Sequence, residues 1–191
     1  MAFDPKFFHP MVVTDTCAVW NMLSSRRLYQ AAVSAKLTFL ITAMVLYECV
    51  HKPRKSVTPE MTELLKRFDA ARRNGGFTVQ ECQLEDLLEV SKIAPIGLSS
   101  GELSCLAVAY KISTLAFMTD ERQARYFAEH SLNLRCETSP RLYGWLHFHR
   151  HLSDGDHSEI IAEHEGLERR PLTKFFNEAL ESALQYQLMS R

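Results

Sequence analysis

Met11-Val12-Val13-Thr14-Asp15-Thr16-Cys17-Ala18-Val19-Trp20 is the stretch on which the reading of this chain turns. An apolar run stops at an aspartate, and a helix-like pattern starts directly after it. Nearly the same phrase returns as Leu115-Ala116-Phe117-Met118-Thr119-Asp120-Glu121-Arg122, so two buried-looking strands both stop at Thr-Asp. Open α/β sheets bind ligands outside the carboxyl ends of their strands. Asp15 is thereby the first candidate site residue.

Outward from this stretch, short apolar runs alternate with helical patterns. Strands are predicted at 12–14, 37–41, 77–79, 114–119 and 132–136. Helices are predicted at 16–23 and 26–35 (broken at Ser24-Ser25), 43–50 with Thr42 as N-cap, 59–73, 84–93, 103–111, 121–130 and 141–151. Gly75-Gly76 ends the 59–73 helix, whose Met61, Leu64, Leu65 and Phe68 recur at helical spacing. Such alternation predicts an α/β fold, a parallel sheet with helices on both faces. After His151 the composition changes: Ser153-Asp154-Gly155-Asp156 is turn-like, the stretch to Glu165 is acidic, and a helix follows over 171–188. Its stripe of Leu172, Phe175, Phe176, Ala179, Leu180, Ala183, Leu184 and Leu188 packs either on its own core or on another chain. Residues 9–151 are read as one domain and 152–191 as a helical C-terminal extension.

The 191 residues suffice for one full core, and 46% hydrophobic with 24% charged is the balance of a globular domain. A net charge of −1 gives no global positive field, so any nucleic-acid contact must come from local basic patches. The 5 cysteines form no CxxC pair, and all but Cys82 lie in or beside apolar runs. They are read as reduced, mostly buried thiols. No signal-like leader precedes Pro10, and no segment nears the roughly 20 apolar residues that cross a bilayer. A cytoplasmic protein without membrane contact is the expectation.

Four acids interrupt or end apolar runs. Asp15 and Asp120 end strands, and Glu102 opens a helix after a glycine. Glu48 is the one charged residue between Leu37 and Val50, on a helix face with Met44 and Val45 that should point at the sheet. A carboxylate there loses hydration and needs a cation or donors. Capping offers a plainer account of three of them: Asp15 and Asp120 as N-caps, Ser99-x-x-Glu102 as a capping box. It has none for Glu48. Carboxylates gathered at a sheet edge repel and raise one another's pKa unless a cation is present. Oxygen-only ligands suit Mg²⁺ or Mn²⁺, and such metals hydrolyse phosphodiesters.

The succession Val-Val-Thr-Asp15-Thr, Ile-Thr-Ala-Met-Val-Leu-Tyr-Glu48, Ser-Ser-Gly-Glu102-Leu-Ser-Cys-Leu-Ala-Val-Ala and Phe-Met-Thr-Asp120-Glu resembles the PIN domain, and most closely the VapC-like ribonuclease toxins. The likeness covers about residues 11 to 150, including Arg141-Leu-Tyr-Gly-Trp-Leu, which is similar to the family's last core helix. It implies a three-layer α/β/α domain with a five-stranded parallel sheet, cleavage of single-stranded RNA, and a Mg²⁺ or Mn²⁺ site. It also implies, in a toxin–antitoxin pair, an antitoxin that blocks the site. In that pattern Asp15 and Asp120 are the principal metal ligands, Glu48 completes the site directly or through water, and Glu102 holds metal or positions the attacking water. Thr16 and Thr119 match hydroxyls that orient ligands or waters. Two departures stand out: Glu121 occupies a position where many relatives carry a further Asp, its role open, and residues 152–191 extend beyond the compact toxins.

Basic residues that could rim such a site are Lys52, Arg54 and Lys55, after the Glu48 helix, and Arg122 and Arg125, after Asp120. Phosphate contacts of this kind position a strand without reading its bases. The alternative for 52–55 is a solvated loop, and Arg72-Arg73 read as the end of a helix. His147, His149 and His151 are spread around a helix, so they read as surface or partner-contact residues rather than zinc ligands, as do His157 and His164. A homodimer is possible from the sequence alone. The competing functions are a catalytically inactive PIN-like module binding RNA or protein, and a receiver-like or phosphatase fold. The latter lacks a DxDxT motif and a well-placed lysine, and no glycine-rich loop follows the first strand to make a dinucleotide site.

Overall fold

In a computed structural model, residues 4–54, 56–167 and 172–189 are described. Five strands form one all-parallel sheet: β1 (Met11–Thr14), β2 (Thr38–Thr42), β3 (Thr78–Gln80), β4 (Ala116–Met118) and β5 (Cys136–Glu137), in the order β3-β2-β1-β4-β5. The central strands need apolar side chains on both faces. Val12, Val13, Phe39, Ile41 and Ala116–Met118 supply them and are buried.

The connections are α1 (Thr16–Leu23) and α2 (Arg26–Ser34), α3 (Ala43–Val50) and α4 (Pro59–Arg73), α5 (Leu84–Ile93) and α6 (Ser100–Lys111), and α7 (Arg122–Ser131). From β1 the chain steps towards β3; from β4 it steps the other way. Right-handed crossovers therefore put α1–α4 on one face and α5–α7 on the other, a three-layer α/β/α arrangement. The strand order reverses between β1 and β4, where the register sets Thr14 beside Met118. That reversal opens a crevice at the carboxyl ends of these two strands, and Asp15 and Asp120 stand at its two lips.

Local chemistry explains most boundaries. Thr58 caps α4 by accepting from the Met61 N–H at 3.2 Å, with Pro59 in the first turn where it displaces no bond. Ser24-Ser25 does break the first helical stretch, and the Ser25 hydroxyl caps α2. Some predictions are corrected. β5 is Cys136–Glu137 rather than 132–136, because Leu132 closes α7 and Asn133 turns with φ 51°, a left-handed conformation asparagine tolerates. β4 is shorter than 114–119, and α6 begins at Ser100, since its cap is Ser99. The last core helix, α8, is Ser139–Phe148, capped by Thr138. Met44 lies on the outer side of α3, 43% exposed, while Val45 is fully buried, so Glu48 sits at the margin of the sheet-facing stripe.

The chain turns at Asp154-Gly155, within the stretch expected to be turn-like, and the acidic residues after it form α9 (Asp156–Gly166), with α10 (Thr173–Met189) following. Pro171, where the last helix was predicted to start, lies outside the described residues. α10 packs in cis on α8: Phe176, Ala179 and Ala183 are buried, and the Phe176 ring lies 5.0 Å from Tyr143 and 5.4 Å from His164. Phe175 and Leu188 of the same stripe stay exposed. Ile160, Phe176 and Ala179 join the core cluster of the sheet domain. Two histidines read as surface or partner-contact residues are in fact core: His147 and His164 are buried, with α10 packed on α8 and its Phe176 ring against His164. Among the described residues no helix is long and apolar enough to cross a membrane.

Candidate active site

Three helix N-termini converge on the crevice, and each holds a carboxylate. At α1, Asp15 is both cap and cleft residue: Oδ1 accepts from the Ala18 N–H at 2.8 Å, and Oδ2 accepts from the Thr119 hydroxyl at 2.5 Å. At α6, the Gly101 N–H donates to Glu48 Oε1 at 3.0 Å, while the Thr16 hydroxyl donates to Oε2 at 2.5 Å. At α8, the Ser139 N–H and hydroxyl donate to Asp120 at 2.9 and 2.6 Å. Asp120 therefore serves the start of α8 instead of capping its own helix, whose cap position is Glu121. The partial positive ends of helices favour anions.

Both halves of the Ser99/Glu102 capping box are present, the Ser99 N–H donating to Glu102 Oε2 at 2.6 Å and the Glu102 N–H to the Ser99 hydroxyl at 3.2 Å. Glu102 nonetheless lines a cleft of about 400 Å³ together with Asp15, Thr16, Trp20, Ser99 and Glu121. Thr16 and Thr119 each donate to a carboxylate, so the two threonines orient the acids themselves.

Asp15 is 1% exposed. Burial pushes its carboxyl up to about 8, and the nearby Asp120 and Glu102 charges push the same way; the Ala18 and Thr119 hydrogen bonds only partly oppose this. Helix dipoles and hydroxyls thus hold the cluster without relieving its repulsion. Does this donor set fit a divalent ion? Among the described residues, no three His, Cys, Asp or Glu side chains form a ready ligand cage. Mg²⁺ does not require one, since it keeps several waters beside one or two carboxylates. One feature suits it: the acids offer oxygen ligands only and repel one another. Asn21 donates its Nδ2 to Asp120 Oδ2 at 2.8 Å. The residues fit a hydrated Mg²⁺ or Mn²⁺.

The basic candidates divide. Lys52 and Arg122 are exposed and Arg125 is half-buried. Arg54 is engaged with its own helix end, donating to the Glu48 and Cys49 carbonyls at 3.0 and 2.9 Å. Lys55 lies outside the described residues.

Sequence reasoning missed Asn21, Ser139 and the cleft position of Glu121. Asn21 carried a readable signal, being the one polar residue within Ala18–Leu23, the argument applied to Glu48. Ser139 carried none beyond a helix start; its approach to Asp120 exists only because β5 pairs with β4. Gly101 stood out only as the glycine before Glu102: a Cβ there would come 2.5 Å from Glu48 Oε2, so a side chain would occupy the carboxylate's place. Compared with known proteins, the chain matches no family model, no curated protein and no solved structure.

Proposed function

We propose that this chain is a metal-dependent endoribonuclease of PIN type that hydrolyses phosphodiester bonds in single-stranded RNA, as the toxin of a toxin–antitoxin pair. The observation that carries the proposal is Asp15: a carboxylate removed from water at the point of strand reversal, with Asp120 and Glu102 as the charges that bear on it. Asp15 and Asp120 hold Mg²⁺ or Mn²⁺, with Glu48 and Glu102 completing the site. When bound, the cation activates a water nucleophile and neutralises phosphate oxygens. Thr119 and Thr16 keep Asp15 and Glu48 oriented, and the helix N-termini of α1, α6 and α8 keep the carboxylates from turning to solvent. Lys52, Arg122 and Arg125 contact phosphates at the rim. An antitoxin would act by covering the cleft.

The experiment is cleavage of a fluorescent single-stranded RNA by the wild type, Asp15→Asn and Asp120→Asn, each with Mn²⁺ and with EDTA. Cleavage by the wild type in Mn²⁺ alone, and loss of at least 100-fold in both variants, is the outcome expected when ligands that act as a unit are removed. Equal cleavage by all three proteins would refute it. A second reading, an inactive module binding RNA, is favoured by the lack of a ready three-ligand cage among the described residues. It predicts RNA binding unchanged by EDTA and no cleavage under any condition.

A further inference from the structure

We infer that the C-terminal segment is a positioning element of the acid site, acting on Asp120 through Asn21. The inference rests on the nuclease reading for its catalytic consequence, but the linkage itself is a set of buried and part-buried hydrogen bonds that meet at the last turn of α1. The Leu172 N–H donates to His164 Nε2 at 3.1 Å, which makes that nitrogen an acceptor and puts the imidazole proton on Nδ1. Nδ1 then donates to the Ser24 hydroxyl at 2.6 Å. The Ser24 hydroxyl donates onward to the Asn21 backbone carbonyl at 2.6 Å, and the Asn21 side-chain amide Nδ2 donates to Asp120 Oδ2 at 2.8 Å. Asn21, Ser24 and His164 are all buried.

α9 also grips the break between α1 and α2 from outside. Glu163 accepts from the Ser25 hydroxyl and the Arg26 N–H at 2.8 and 2.9 Å, and Asp156 takes both ends of the Arg27 guanidinium at 2.7 and 3.2 Å. Arg67 already satisfies the α1 terminus through the Leu23 and Ser24 carbonyls. The helix end therefore has its caps without His164. What His164 adds is a fixed Ser24 hydroxyl, and hence a fixed last turn of α1, the turn that carries Asn21.

Packing alone does not account for Asn21. An apolar residue in that buried position would avoid the desolvation of an amide whose Oδ1 has no partner. The amide is there to hold Asp120, and partners of metal-binding carboxylates of this kind alter metal affinity by about 10- to 100-fold. The segment absent from the compact toxins thus sets the geometry of the site from behind.

The test uses the full-length chain with Asn21→Leu, His164→Phe and His164→Asn. The His164→Phe variant keeps a ring against Phe176 and removes both hydrogen bonds; His164→Asn keeps a donor for Ser24. Mn²⁺ affinity, kcat and KM on single-stranded RNA, and exchange of the Asn21 side-chain amide protons in the metal-free protein are measured, with circular dichroism to score folding. Expected are an about 10-fold weaker Mn²⁺ affinity and a lower kcat at unchanged KM in Asn21→Leu and His164→Phe, with recovery to within about 3-fold in His164→Asn. The Asn21 amide protons should exchange faster in folded His164→Phe. Wild-type affinity and kcat in folded Asn21→Leu or His164→Phe would overturn the inference. Should the wild type itself neither bind Mn²⁺ nor cleave, the nuclease reading fails, and the amide exchange still decides the linkage: unchanged protection in folded His164→Phe overturns it.

Discussion

Replacing Asp15 by Asn should change how stability depends on pH more than it changes the fold. Asparagine is as good an N-cap as aspartate, so the Ala18 N–H keeps an acceptor. What disappears is a buried carboxyl whose pKa is raised from 3.8 to about 8. An acid with a raised folded-state pKa contributes stability that is complete below its unfolded pKa and is lost as pH rises through the folded value. For Asp15 the window runs from about pH 4 to about pH 8. Within it the wild type loses about 1.36 kcal/mol per pH unit from this group, or up to about 2.7 kcal/mol between pH 5 and pH 7. The assay is urea denaturation of metal-free wild type and Asp15→Asn across that range, reading the difference between the two proteins so that titrating groups away from the acid cluster cancel. The difference should grow in favour of the variant as pH rises. Mn²⁺, which takes the ionised carboxylate, should restore about 2.7 kcal/mol to the wild type at 100-fold excess over Kd and nothing comparable to the variant. A difference that stays flat from pH 5 to pH 7 would refute the claim that Asp15 carries a desolvated, uncompensated charge.

Gly101→Ala should leave stability unchanged or raise it by up to about 1 kcal/mol, because alanine is the better helix former. The atoms nearest the new methyl group are the carboxylate end of Glu48, so cleavage should instead fall at least about 10-fold by dislodging that carboxylate. His147 is buried, and burial lowers its pKa from 6.5 to about 4. Its unfolded form takes up a proton that the folded form refuses, so stability is lost as pH falls below 6.5. His147→Phe should remove up to about 2 kcal/mol of that loss between pH 6 and pH 4.5, read by denaturation. Arg54→Ala should cost about 1–2 kcal/mol by freeing two carbonyls at the end of α3. By contrast Lys52→Ala should stay within about 0.5 kcal/mol of wild type in stability and lower the salt slope of RNA binding by about 1.

Periodicity and punctuation carried far in this chain. The Val12–Thr14 run, the Ser24-Ser25 break, Thr42, Pro59 and Gly75-Gly76 each act through neighbours a few residues away, so their consequences are written locally. The same holds for Glu48, whose oddity is visible within its own helix. Strand 132–136 was misplaced because one residue, Asn133, turns the backbone and delays pairing until Cys136, a choice settled by β4 rather than by propensity.

What the sequence by itself determined was the alternation of strands and helices, and the acids at their ends, because both follow from side-chain period and capping. The tertiary structure alone decided which donors those acids meet. Asp120 finds Asn21, 99 positions away, and Ser139 at the start of a later helix, while Glu48 finds Gly101 across 53 positions. His164 reaches Ser24 across 140. Such partners are selected by how the crossovers fold onto the sheet, and the energy that makes Asp15 unusual, the loss of water around its charge, exists only once those layers close over it.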